Sequence, residues 1–182
     1  KGQWISRVEA SHHDPAVAYL AVGAFRSGNY APLAWRTADG GRTWRDIAAN
    51  LPADGPVKVI REDPVNPDLL YAGTEFALFV SLDQGRSWTK WPGLPTVAFD
   101  DILVHPRDRD LVLATHGRSL YVVDDIGALQ QYTPEVAAAP LHLFAARPAD
   151  GHYQMEGWAD YRGAGHFAGA NPPVGAFITY HV

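Results

Sequence analysis

A nine-residue pattern occurs twice along this chain and narrows its possible folds more than any other feature. Arg36-Thr37-Ala38-Asp39-Gly40-Gly41-Arg42-Thr43-Trp44 is matched by Val80-Ser81-Leu82-Asp83-Gln84-Gly85-Arg86-Ser87-Trp88, which puts Asp39 and Asp83 44 residues apart. A proline signal precedes each copy, His13-Asp14-Pro15 in the first and Glu62-Asp63-Pro64 in the second, and returns as Val104-His105-Pro106 in a third place. Each proline is followed by an apolar run: Ala18-Tyr19-Leu20-Ala21-Val22, Leu69-Leu70-Tyr71-Ala72-Gly73 and Leu111-Val112-Leu113-Ala114-Thr115. These runs are rich in residues that fit a half-buried pleated surface. Three units therefore follow one another at a repeat-protein spacing.

Within the middle unit the pattern predicts strands over 57–61, 69–74, 78–81 and 88–91, separated by turn residues at 64–68 and 83–85. That is an antiparallel meander of four strands. No part of the three units carries the 3.6-residue period of an amphipathic helix over three turns, and only 125–131 suits a short helical turn. The expected fold class is all-β: about three four-stranded antiparallel blades of a β-propeller, over 5–55, 56–98 and 99–132. A closed propeller takes roughly four to eight blades, so three do not close a ring. The chain reads as part of a longer protein whose remaining blades are its nearest partners, with assembly from several copies or chains as the alternative.

The two nine-residue copies resemble the Asp-box, or bacterial neuraminidase repeat, S/T-x-D-x-G-x-S/T-W. Val59-Ile60-Arg61-Glu62-Asp63-Pro64, Gly73-Thr74-Glu75-Phe76 and Thr115-His116-Gly117-Arg118 are similar to wording in the sortilin-like bacterial propellers often labelled glycosyl hydrolases. The likeness covers about residues 5–148. It lapses in the third unit, where Val123-Asp124-Asp125-Ile126-Gly127 lacks the closing Ser/Thr and Trp, which suits an incomplete blade. The resemblance implies a secreted, periplasmic or extracellular protein. Physically the box is a hairpin device. Its Asp accepts turn N–H groups, its Gly supplies a positive φ, and its Trp packs between blades, so Asp39, Asp83, Trp44 and Trp88 are expected to be structural.

After residue 132 the pattern changes. Pro134, Pro140, Pro148 and a Gly-rich stretch make 133–170 an expected irregular linker, with Tyr153, Trp158, Tyr161 and Phe167 either packing on the blades or forming an aromatic surface; 171–182 reads as a strand, which the resemblance implies to be the first of a following β-sandwich. The net charge of -5 and the lack of any Lys/Arg cluster argue against nucleic acid. No apolar run approaches the roughly 20 residues of a membrane-spanning helix. Zero cysteines exclude disulfides, thiolate metal sites and cysteine nucleophiles, and His12-His13 lacks the third ligand of a zinc site. No metal or cofactor is expected. The first residues, Lys1-Gly2-Gln3, include no initiator Met and read as a cut or processed end.

Successive turns of a meander point to opposite ends of the blade. One end holds the proline signals and the boxes; the other holds the second-to-third loops and the inter-blade connections, where ligand contacts are expected. On that end fall Arg26, Asn29 and Tyr30, then Glu75 and Phe76, then His116 and Arg118, with the inter-blade Asp100 and Asp101 beside them. Two functions follow from these residues. Arg26, Asn29, Tyr30, Phe76, His116 and Arg118 can recognise a peptide, protein or glycan, making the chain a binding or scaffolding module. Alternatively Glu75 with Asp100 or Asp101 can supply the paired carboxylates of a glycoside hydrolase. A sialidase would need several arginines converging on the sugar carboxylate, and only Arg26 and Arg118 qualify. The binding reading is favoured, because the repeated motifs are explained by folding and nothing among them demands chemistry.

Overall fold

The computed structural model describes residues 3–149, 165 and 175–182. Blade 1 is an antiparallel sheet of β1 (Trp4–Ala10), β2 (Ala18–Gly23), β3 (Ala34–Thr37) and β4 (Arg45–Asp46), each strand bonded to the next in sequence. Blade 2 repeats this with β5 (Val57–Glu62), β6 (Leu70–Thr74), β7 (Leu78–Ser81) and β8 (Thr89–Lys90). Blade 3 has three strands, β9 (Phe99–Val104), β10 (Leu111–Thr115) and β11 (Leu120–Val123). The chain is thus built as an all-β propeller segment, and its third unit, which lacks the box, also lacks a fourth strand among the described residues.

Register explains how the blades stack. Val8 faces Leu20, which faces Trp35; Ile60 faces Ala72, which faces Phe79; Ile102 faces Leu113, which faces Tyr121. These rows occupy one position in three blades. The Ile60–Ala72–Phe79 row is buried against blade 1 in a cluster with Tyr19, Ala21 and Ile47. Similarly, Ile102 and Leu113 are buried against Val59 and Tyr71 of blade 2, with Tyr121 packed on that cluster. Blade 2 therefore presents one face to blade 1 and the other to blade 3. Between blades 2 and 3 the approach is close enough to require glycine: a Cβ on Gly73 would stand 2.5 Å from the Phe99 carbonyl oxygen.

Polar bonds tie the stack at one end. The buried Glu62 carboxylate accepts from the Ser11 and Tyr19 hydroxyls at 2.7 Å each and from the His12 N–H, joining blade 2 to blade 1. Burial, and then its bond to Glu62, raise the pKa of the Tyr19 phenol. Its neighbour Asp63 accepts from the N–H groups of Val65 and Asn66, the Tyr71 hydroxyl and the Gln130 amide, and so has partners throughout its burial. Gln130 closes helix α1 (Gly127–Gln130), which follows β11 in place of a fourth strand.

The two box turns are superposable in their bonds. Asp39 Oδ1 accepts from the Thr37 hydroxyl and the Thr43 N–H, and Oδ2 from the Thr43 hydroxyl; Asp83 does the same with Ser81 and Ser87. Gly41 and Gly85 adopt φ values of 87° and 75°, open to glycine without strain. The tryptophans differ. Trp88 is 5% exposed, and its indole N–H donates to the Ile47 carbonyl while its main chain exchanges two bonds with the Asn50 amide. Trp44, expected between sheet layers, is 42% exposed and its indole N–H donates to the Gly41 carbonyl of its own turn. Trp88 is seated on the segment that follows the fourth strand of blade 1, and no such segment precedes blade 1 among the described residues.

Past the blades the expected linker carries order. Thr133 caps helix α2 (Pro134–Ala138) by accepting the Val136 N–H, with proline at the first helical position where its missing donor costs nothing. β12 (His142–Leu143) pairs antiparallel with β13 (Tyr180–His181), so the strand expected over 171–182 is confined, among described residues, to two positions that pair within this chain. Tyr153, Trp158, Tyr161 and Phe167 lie outside the described residues. No described helix is long and apolar enough to cross a membrane.

Two expectations follow. Trp88→Ala should cost roughly 3 to 5 kcal/mol of stability, as for a buried large aromatic, and Trp44→Ala well under half of that; denaturant midpoints of the two variants check the contrast. The second concerns pH. Hydrogen bonds from the Thr43 hydroxyl and N–H, then Thr37, hold the Asp39 pKa down at about 2. Burial pushes Asp83 upward, but its bonds from Ser87 and Ser81 outweigh this and leave it lowered. A carboxylate with a depressed folded pKa stabilises fully above its unfolded value, about 3.9, and loses that contribution as pH falls through the folded value. Part of the stability should therefore vanish between about pH 4 and 2, and Asp39→Asn with Asp83→Asn should flatten that limb of the curve.

Candidate functional site

At the end of the blades opposite the box turns, the start of each inner strand and the turn between second and third strands come together. The structure places an unforeseen residue at the centre of this end. Lys58, on β5, extends its ammonium to Glu75 Oε2 and to Asp100 Oδ1, each at 3.0 Å. Glu75 sits in the β6–β7 turn of the same blade, where its N–H is bonded to the Pro56 carbonyl, and Asp100 lies on β9 of blade 3. His116, in the β10–β11 turn, brings Nδ1 to 3.3 Å from Asp100 Oδ2, and its main-chain N–H donates to Ala98. Four side chains from two blades thus form a chain in the order Glu75, Lys58, Asp100, His116.

Charge organises this cluster. Burial by itself lowers the pKa of the Lys58 ammonium, but the hydrogen bonds to Glu75 and Asp100 outweigh it and hold the group above its ordinary value. Two carboxylate oxygens bonded to one nitrogen can be no more than about 6 Å apart, inside the span of a retaining glycosidase pair and short of the roughly 6.5 to 9.5 Å of an inverting one. Both carboxylates are, however, engaged by the one Lys58 ammonium. The geometry is that of a neutralised inter-blade tie that happens to be solvent-accessible.

Asp101, expected beside Asp100, points elsewhere, because successive residues of a strand face opposite sides. Its Oδ1 accepts from Arg7 of blade 1 at 2.7 Å and Arg61 of blade 2 at 3.0 Å, and Arg61 also pairs with Glu9. Burial raises the Asp101 pKa, but its bond from the Ile102 N–H and the Arg7 and Arg61 charges bring it below the usual carboxylate range. This second network joins all three inner strands and separates Asp101 from Glu75 and Asp100.

The other expected residues spread along the same end without converging on the lysine cluster. Arg26 lies in a single helical turn, Phe25–Ser27, with its guanidinium 5.5 Å from the centre of the Trp4 ring and 5.9 Å from that of Phe25. Beside it a shallow cavity of about 340 Å³ is lined by Gln3, Trp4, Gly23, Arg26 and Ser27. Asn29 accepts the Ala31 N–H and so shapes its own turn. Tyr30 and Phe76 are exposed at 57% and 48%, and Arg118 is exposed in the turn after His116. Trp4 escaped the sequence reading because it lies in the strand ahead of the loop it serves; its only signal was an aromatic at the start of an inner strand. Lys58 escaped it because a lone lysine in a strand carries no motif. Among the described residues no group of three His, Asp or Glu side chains is placed to hold a metal ion.

No protein-family model matches the sequence, and no curated protein does. Among solved structures the chain is similar to the GH74 enzyme of Niastella koreensis, with a TM-score of 0.54 and 17% identity over 66% of this chain and 21% of that one. It is also similar to an ancestral GH74 enzyme, with a TM-score of 0.54 and 19% identity over 64% of this chain and 14% of that one. The GH74 xyloglucanase of Xanthomonas campestris gives a TM-score of 0.51 and 20% identity over 65% and 20% of the two chains. The chain spans about a fifth or less of the length of these enzymes, and what it shares with them is the β-propeller fold.

The lysine tie predicts measurable coupling. Lys58→Met and Glu75→Gln should each lower stability, and the double variant should lose less than the sum, with a coupling of roughly 0.5 to 1 kcal/mol for a partly exposed pair. A denaturation double-mutant cycle reads it directly.

Proposed function

We propose that this chain is a ligand-binding or scaffolding part of an exported β-propeller of the sortilin-like Asp-box kind, and that the end of the blades opposite the box turns recognises a peptide, protein or glycan. One observation carries this reading over hydrolysis: Glu75 and Asp100, the carboxylates best placed for acid chemistry, share the Lys58 ammonium at 3.0 Å each. What is left open to solvent around them is contact chemistry. Tyr30 and Phe76 offer aromatic faces, Arg118 an exposed guanidinium, and Arg26 a cation held over Trp4 beside a shallow cavity. Amphipathic aromatics and arginines are the side chains that dominate binding energies at recognition surfaces.

The hydrolase reading keeps one point in its favour, the short separation of the Glu75 and Asp100 oxygens, and the experiment separates the two. In the complete protein, a panel of glycosides and peptides should show binding without bond cleavage. Tyr30→Ala and Arg118→Ala should each weaken that binding by about fivefold or more, about 1 kcal/mol, and Glu75→Gln should leave it nearly unchanged. Cleavage of any panel member that Glu75→Gln slows by orders of magnitude, with affinity retained, would make Glu75 catalytic and overturn the proposal.

A further inference from the structure

In the loop between the second and third strands of blade 1, an exposed arginine is held in place by aromatic rings. The turn that carries it is fixed locally. The Ser27 hydroxyl and N–H both donate to the Ala24 carbonyl, the Gly28 N–H donates to Phe25, and Gly28 closes the turn at a φ of 78°. This sets the Arg26 guanidinium 5.5 Å from the centre of the Trp4 ring and 5.9 Å from that of Phe25. Arg7 and Arg61, by contrast, are turned inward onto Asp101. Arg26, Trp4 and Phe25 all remain exposed, Trp4 at 61% and Phe25 at 43%. A guanidinium held over a ring keeps the N–H donors of its edge free for a planar anion, which it grips at two points with little further loss of rotamer freedom.

The cavity next to this cation shows what else the anion must carry. Its volume is about 340 Å³ and it is lined by Gln3, Trp4, Gly23, Arg26 and Ser27, a size at the low end of the roughly 300 to 1,000 Å³ of small-ligand sites. Gly23, opposite Trp4 across the sheet, leaves its part of the wall without a side chain. The Gln3 amide both donates and accepts, and the Ser27 oxygen, whose proton is engaged by the Ala24 carbonyl, is an acceptor. Hydroxyl groups suit these two side chains, and a surface of C–H groups suits the exposed indole beside them. The N–H groups of Ser27, Gly28 and Asn29 are bonded within the turn, which favours recognition by side chains over pairing with a peptide main chain. With one guanidinium here and a net charge of -5 on the chain, a monoanion fits better than a phosphate dianion. A carboxylate, several hydroxyls and an apolar ring face occur together in a uronic acid.

We infer, building on the recognition role proposed above for this end of the blades, that Gln3, Trp4, Arg26 and Ser27 form a subsite for one uronic acid residue of an acidic saccharide. The carboxylate lies on the Arg26 guanidinium, the sugar ring beside the Trp4 indole, and the ring hydroxyls on Gln3 and Ser27.

Trimers of galacturonate and of mannuronate, their uncharged methyl esters and a tetraglutamate peptide are the probes, titrated calorimetrically into the complete protein. At least one of the two acids should bind, and its ester should bind about tenfold more weakly through loss of a charge-assisted contact. Arg26→Gln should weaken the acid by a similar factor and leave the ester unchanged. Arg26→Lys should restore only part of the loss, because an ammonium lacks the planar fork. Trp4→Ala should weaken acid and ester alike. These side chains are exposed, and unchanged denaturant midpoints separate lost contacts from lost folding; should Trp4→Ala disturb the fold, the Arg26 variants still give the reading. Acid and ester binding equally, an acid affinity indifferent to Arg26→Gln, or tetraglutamate bound through Arg26 as tightly as either uronate would each overturn the inference. If neither uronate binds while another glycan or peptide does so through Tyr30 and Arg118, the subsite falls and the recognition role stands; if nothing binds, both fall.

Discussion

Sheet faces in this protein are apolar on both sides, and no blade can satisfy both of its faces by itself. Burying a large aliphatic or aromatic side chain stabilises by roughly 1.5 to 3 kcal/mol, and in blade 2 that gain is collected twice. Ile60, Ala72 and Phe79 bury on blade 1, while Val59 and Tyr71 bury against blade 3. Stacking is thus the condition on which the remaining structure depends. Of the two-residue strands, β8 follows Trp88, which is clamped on blade 1, and β4 is followed by Ile47, which is buried between blades 1 and 2.

Polar groups follow from the same constraint. A carboxylate buried between blades must be fully bonded or it costs several kcal/mol, and Glu62 and Asp63 meet that demand with partners from blade 1 and from α1 respectively. Arg61 extends the pattern inward by joining Glu9, Asp101 and the Ile102 carbonyl, so that all three inner strands share one network.

At the other end of the blades the carboxylates are engaged in ion pairs. Lys58 satisfies both Glu75 and Asp100, and His116 leans on the remaining oxygen of Asp100. The uncommitted side chains are aromatic or cationic and lie in the turns between second and third strands, which vary in length from blade to blade while the box turns do not. Turns of constant length thus lie at one end of the first two blades and loops of variable length at the other.

The repeat spacing, the paired boxes and the alternation of the middle unit were enough to read an all-β propeller segment, and the strands of blade 2 lie within a residue or two of the expected positions. They were legible because each is written locally, as a turn residue at a fixed offset or an apolar run of strand length. The box predicted two equivalent turns, which the hydrogen bonds of Asp39 and Asp83 reproduce, but it could not reveal that Trp88 is buried and Trp44 open. That difference lies in the neighbouring blade. Nor could adjacency in sequence tell that Asp100 and Asp101 serve different networks, or that a solitary lysine gathers Glu75 and Asp100. Such contacts join residues 17 to 42 positions apart. Sequence alone determined the repeating unit and its turns, because these depend on local conformational preference; the partners of each charge and the exposure of each tryptophan were decided by blade stacking, which brings together side chains that no local rule connects.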